Sequence, residues 1–212
     1  QLGFDVNIAG HAAGGPGHYH GTKNFGNDRE GPWGVPGLEA YHGTETHLTV
    51  ATTIEANKAV EAAVNEGKPF YLYLAHYAVH APIQPHQEHV PNYEGKNYPG
   101  TELAIPKAEV NYASMIEGMD ASLGAVIAKV EELGVAEDTL ILFASDNGGL
   151  TYHSRDTSPR GTGRDTQCWP LREGKGSAYD GGTRIPMIVS WAKPNAQNVH
   201  QKRLPIAAGS ET

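Results

Sequence analysis

The chain has 212 residues, a formal net charge of −8 and a hydrophobic share of 39%, enough apolar material for one ordinary domain or part of a larger one. The acidic balance argues against a general nucleic-acid or anionic-membrane binder, so an anionic substrate would need a local positive site built from a metal or a few cationic side chains. A single cysteine, Cys168, excludes an intrachain disulfide, and no stretch approaches the roughly 18 apolar residues of a membrane span.

Gln1 opens the chain without an initiator Met or a signal-like segment, so the sequence reads as an internal piece. Residues 1–48 are rich in Gly, His, Asn and Pro without sustained periodicity and are expected to be a loop segment of the same domain. His11, His18, His20, His42 and His47 have spacings that fit no compact ligand set and read as solvated or loop-packing side chains. Residues 49–193 are the expected core. Thr49 to Asn65 predicts an amphipathic helix through Ile54, Ala56, Val60, Ala63 and Val64, stopped at Gly67. Pro69 to Ala75 is short, aromatic-rich and bounded by turn formers, which predicts a buried strand. A Pro-rich stretch runs from there to Pro106. Lys107 to Leu133 predicts a long helix on Val110, Met115, Met119, Leu123, Val126, Ile127 and Val130, ended by Gly134. Thr139 to Ala144 predicts a second buried strand, and Ile185 to Trp191 a third, with Pro186 near its start. Residues 194–212 begin a further segment. This order of elements implies an α/β sandwich around a largely parallel sheet.

Ligands in such folds gather beyond the carboxyl ends of strands, which points to the residues after Ala75 and after Ala144. Ser145-Asp146-Asn147-Gly148-Gly149 offers hard oxygen donors suited to calcium or magnesium. Its glycine pair lets the backbone approach a bound group, although Asp-Asn-Gly is equally an ordinary turn sequence. His80 can donate to an anion or protonate a leaving oxygen near neutral pH. His76 and His86 compete with it, and any one of the three is also readable as a packed or surface histidine. Lys175, between Gly174 and Gly176, can be brought close to an anion; it lacks Walker spacing and is otherwise a solvent-exposed loop lysine.

The strand with its His-x-Pro turn, the long helix, the strand ending in Ser-Asp-Asn-Gly-Gly and the Gly-Lys-Gly loop occur in one order. Together they resemble the type I sulfatase family of the alkaline phosphatase superfamily. Phe70 to Pro82 is similar to the family's strand and histidine turn, Asn111 to Gly149 to its helix and metal-binding Asp-Asn-Gly, and Pro170 to Trp191 to its lysine loop and Gly-Gly-x-Arg-x-Pro segment. Gly3 to Ile8 is similar to the segment directly after the family's Gly-Lys-Trp-His motif. The resemblance implies an alkaline phosphatase-like α/β sandwich, incomplete in this chain. It implies Asp146 and Asn147 as ligands of a divalent cation, usually calcium, Lys175 on the sulfate and bridging oxygen, and His80 on the sulfate and leaving alcohol. Arg184 would organise the loop. Val79 stands where Pro is frequent, and Asp180 where Glu is common.

The family's nucleophile is a formylglycine made from Cys or Ser in a Cys/Ser-x-Pro-x-Arg motif far nearer the N-terminus. Cys168, with Trp169-Pro170 after it, is set aside on both motif and place, so the formylglycine is expected upstream, as are an early Asp-Asp pair and a Lys-x-His motif. The resemblance implies a sulfate ester substrate, a sulfated glycan or an aryl sulfate, in a periplasmic or secreted protein, with the 212-residue chain inactive by itself. The alternatives are a phosphodiesterase or phosphonate hydrolase of the same superfamily, and a non-catalytic, calcium-stabilised binding module.

Overall fold

A computed structural model describes residues 3–28, 30–150, 168 and 170–199. Its elements are helix α1 (Leu48–Asn65), helix α2 (Lys107–Glu132), strand β1 (Leu140–Ala144), the one-turn helix α3 (Asp180–Thr183) and strand β2 (Met187–Trp191). The expected segment at residues 194–212 lies mostly outside the described residues. None of the described helices is long and apolar enough to cross a membrane.

Both long helices fall where the sequence period puts them, but α1 buries a different stripe. Its buried positions are Leu48, Thr49, Ala51, Thr52, Thr53, Ala56 and Val60, whereas Ile54 stays exposed. Threonine is tolerated inside because its hydroxyl finds a partner on its own helix. Thr52 Oγ1 donates to the Leu48 carbonyl at 3.1 Å and Thr53 Oγ1 to the Thr49 carbonyl at 2.6 Å. The facing side of α2 is equally small, with Ser114, Gly118 and Ser122 buried at four-residue spacing. Thr53 and Ser122 hydrogen-bond across the interface.

Ser122 Oγ also meets His76 Nε2 at 3.0 Å, while His76 Nδ1 is buried with no hydrogen-bond partner. Burial pushes His76 down from its ordinary 6.5 to about 4. Between those values the unfolded chain takes up a proton that the folded chain refuses. Its neutral ring therefore leaves stability intact above pH 6.5 and costs stability as the pH falls toward 4. Urea midpoints of the full-length protein should drop across that window. His76→Asn should flatten the slope there; a slope that it leaves unchanged would assign the acid sensitivity to other groups.

Two apolar clusters hold the chain together. Ala9, Tyr19, Phe25, Val35 and Leu38 from the N-terminal loops close over Leu48, Ala51 and Met115. Val60, Val130 and Ala136 form the other, with Phe70 and Leu72 packed against it. Residues 1–48 are thus cored by buried aromatics and not merely draped over the surface.

The sheet departs from expectation in two ways. The only strand pair among the described residues, β1–β2, is antiparallel, with Leu140 opposite Trp191 and Ala144 opposite Met187. A mixed sheet with an antiparallel member is common in α/β folds. The other departure is that Pro69 to Ala75 has no strand partner among the described residues. It still keeps a two-residue alternation, with Phe70, Leu72 and Leu74 half-buried while Tyr71 and Tyr73 point outward and stack on Phe4. Alternation records which face is apolar, but a strand needs a neighbouring ladder. Leu140, Leu142, Met187 and Val189 share one face by register and are all at least half exposed, so β1 and β2 are apolar strands with an uncovered face.

Candidate active site

The Asp146 turn and the Lys175 loop are locked together through their backbones. After β1, the Ser145 amide donates to the Pro186 carbonyl at 3.3 Å, and Ser145 Oγ donates to the Asn147 carbonyl at 2.7 Å. The Gly148 amide donates to the Gly182 carbonyl at 3.0 Å, and the Lys175 amide donates to the Gly149 carbonyl at 2.8 Å. Asp146 is exposed, while Asn147 and Lys175 are half-buried.

The glycines here serve a purpose other than the expected approach to a bound group. A Cβ on Gly148 would lie 1.6 Å from the Gly181 carbonyl oxygen, and a Cβ on Gly181 would lie 2.0 Å from the Glu173 carbonyl oxygen. Backbone thus presses on backbone, and only glycine fits. Gly148→Ala should destabilise the full-length protein by roughly 3 kcal/mol or more, since main chain must shift instead of a flexible side chain. Urea unfolding measures it; an unchanged midpoint would show that the two loops do not meet this closely.

His80 is held from the other end of the chain. Tyr19 Oη lies 2.6 Å from the Tyr77 carbonyl and 2.8 Å from the His80 carbonyl, and Gln84 Oε1 accepts from the Tyr19 amide at 2.7 Å. Tyr77, Ala78 and Val79 pack on the first apolar cluster. Gly15 lies against the imidazole, for a Cβ there would approach His80 Nδ1 to 2.8 Å. Nδ1 itself is 2.8 Å from the Ala81 carbonyl oxygen. A carbonyl only accepts, so Nδ1 carries the proton and Nε2 is left to face a ligand. Tyr19 is a positioning residue that the sequence did not reveal, being one aromatic in an aperiodic stretch.

Of the four predicted site residues, the structure joins three on adjoining loops: Asp146, Asn147 and Lys175. Among the described residues no hydrogen bond or ion pair links His80 to them. The fit to calcium rests on donor chemistry. Asp146 supplies a carboxylate with no hydrogen bond or ion pair among the described residues, and Asn147 adds a carboxamide oxygen. Both are the oxygen ligands that a hard cation takes, and they make up a minority of the about six to eight that calcium prefers.

The sequence expectation for Cys168 is corrected on one point. Cys168-Trp169-Pro170-Leu171-Arg172 does have the Cys-x-Pro-x-Arg spacing, so only its place separates it from the family's nucleophile. Its sulfur accepts a hydrogen bond from the Gly149 amide at 2.9 Å, which sets it against the Asp146 turn. Arg184 is exposed and its amide closes α3 on the Asp180 carbonyl at 2.8 Å.

The Sulfatase family model matches residues 3–207. Arylsulfatase A of Bos taurus is 30% identical over 168 residues, which cover 79% of this chain and 27% of that protein. N-acetylgalactosamine-6-O-sulfatase of Bacteroides thetaiotaomicron is 32% identical over 160 residues, covering 73% and 29%. The crystal structure of Ps i-CgsB in complex with k-i-k-neocarrahexaose superposes with a TM-score of 0.59 at 26% identity, covering 83% of this chain and 37% of that one. The chain spans less than a third of the length of these two curated relatives. With the family model matching nearly its whole length and with a part of the alkaline phosphatase-like α/β fold, this chain belongs to the sulfatase family.

Proposed function

We propose that the full-length protein carrying this chain hydrolyses sulfate esters, with Asp146, Asn147, Lys175 and His80 forming part of its active site. The supporting observation is the double backbone lock, Gly149 to Lys175 and Gly148 to Gly182, which fixes an oxygen-rich turn beside a lysine. Asp146 and Asn147 would hold the calcium ion, and Lys175 would bind the sulfuryl oxygens and stabilise charge that grows in the transition state. His80, with its proton fixed on Nδ1, would turn Nε2 toward the leaving oxygen and, when protonated there, donate to it. Calcium would supply further charge neutralisation, and a formylglycine in the full-length protein would supply the nucleophile.

The substrate class is a sulfated glycan or an aryl sulfate. The names of the two curated relatives span both. The assay is sulfate release by the full-length protein from a chromogenic aryl sulfate and from sulfated sugars, with and without a calcium chelator. Release that the chelator abolishes is expected, with none from the 212-residue chain alone. Release of phosphate but not sulfate from matched esters would overturn the reading. Release by the 212-residue chain would relocate the nucleophile to Cys168. Fractionation of the native host tests the periplasmic or secreted location.

A further inference from the structure

We propose that His86, Glu88 and His89 form a site for a divalent transition-metal ion of the zinc class. The three residues each offer one ligand atom, and these atoms lie within 4.8 Å of one another. The His89 amide closes a four-residue turn on the His86 carbonyl at 3.0 Å, which brings the two imidazoles together, tilted, with centroids 4.5 Å apart. Spacing of this kind comes from the turn itself, so the ligands are gathered locally and not by distant loops.

The site is built, not incidental. His86 is 5% exposed, and its Nδ1 is buried without a hydrogen-bond partner. Such an orphan is costly to bury unless something fills it. The ring cannot swing away to find water. Its own amide donates to Ser114 Oγ at 3.1 Å, the His47 ring lies 4.6 Å from it, and a Cβ on Gly118 would fall 2.6 Å from its Cδ2. Gly118 of α2 therefore leaves room for a histidine held flat.

A carboxylate also stands behind the other imidazole. Glu117 Oε1 is 3.5 Å from His89 Nδ1 and accepts from Asn92 Nδ2 at 2.7 Å, while Glu117 Oε2 is buried without a partner. A carboxylate on one ring nitrogen fixes the tautomer and leaves Nε2 as the ligand, the arrangement that supports metal-bound histidines. Two imidazoles and a carboxylate suit zinc or its neighbours in the transition series, whereas the oxygen donors of Asp146 and Asn147 suit calcium. The ion would brace the turn against α2. From there contact runs through His47 and Tyr19, stacked with centroids 5.3 Å apart, to the His80 carbonyl.

The test uses tag-free full-length protein with calcium in excess, so that oxygen sites are filled. Zinc uptake is read by elemental analysis after dialysis, and cobalt(II) serves as a coloured probe of nitrogen coordination. The wild type should retain about one equivalent of zinc and give visible cobalt bands. Glu88→Gln and His89→Ala alter exposed or half-buried side chains and should keep the circular dichroism spectrum. Each should weaken zinc binding about tenfold or more and bleach the cobalt bands. No zinc uptake by the wild type at micromolar free metal, or uptake and colour that both variants retain, would overturn the site.

Discussion

Replacing Lys175 with alanine in the full-length enzyme is expected to lower turnover on its best sulfate ester by about a hundredfold or more, with little change in stability. The loss comes from removing a cation aimed at charge that develops in the transition state, a preorganised group of the kind whose deletion costs on the order of a hundredfold to a thousandfold. Stability should survive because the loop is anchored by main chain. The Lys175 amide bonds the Gly149 carbonyl whatever the side chain is, and Gly181 and Gly182 dock on the carbonyls of Glu173 and Ser177. Gly176 holds a φ of +86°, which a glycine adopts freely. Lys175→Arg should recover part of the rate by keeping the charge. Steady-state kinetics with a parallel thermal melt decides. Unchanged turnover in the alanine variant would remove Lys175 from the mechanism.

Asp146→Ala should act mainly through the metal. The side chain is exposed and carries no hydrogen bond or ion pair among the described residues, so its loss disturbs little packing. It does delete the one full negative charge that this turn offers a calcium ion. Calorimetric calcium affinity of the full-length protein should fall at least tenfold, and sulfate release should fall with it on the order of a hundredfold. Added calcium should restore only part of the rate, because mass action refills the site without restoring a missing ligand. Asn147→Ala removes a neutral donor and should cost less. Full rescue of Asp146→Ala by calcium would mean that Asp146 sets affinity alone, and unchanged calcium affinity would remove it from the ligand set.

The uncovered face of β1 and β2 bears on how such experiments are run. Four apolar side chains on that face, Leu140, Leu142, Met187 and Val189, stand at least half exposed, a patch of the sort that soluble proteins cover. Work on activity and metal binding therefore belongs with the full-length protein, where the remaining polypeptide is present.

The sequence by itself determined the local elements and the order of the chemical motifs. α1 and α2 carry a helical period with a glycine just beyond each C-terminus, Gly67 and Gly134, and β1 and β2 are short apolar runs with turn formers around them. Ser145 and Asp146 follow β1, so the Asp146 turn could be placed at a strand end from the sequence alone. What only the tertiary structure decided is which segments lie side by side. The antiparallel pairing of β1 with β2, and the missing ladder for Pro69 to Ala75, were not legible, because an apolar run specifies a buried face and says nothing of its neighbour. Thr52 and Thr53 looked polar in the sequence yet lie on the inner stripe of α1, since their hydroxyls are satisfied within the helix. Gly148 looked like a ligand-approach glycine and is instead a contact with Gly181. His86 looked like one histidine among several until Gly118 of α2 and the His89 turn fixed it in place. These outcomes share one cause: propensity and periodicity are set by residues near in sequence, whereas close backbone approach, strand pairing and ligand convergence are set by residues far apart in it.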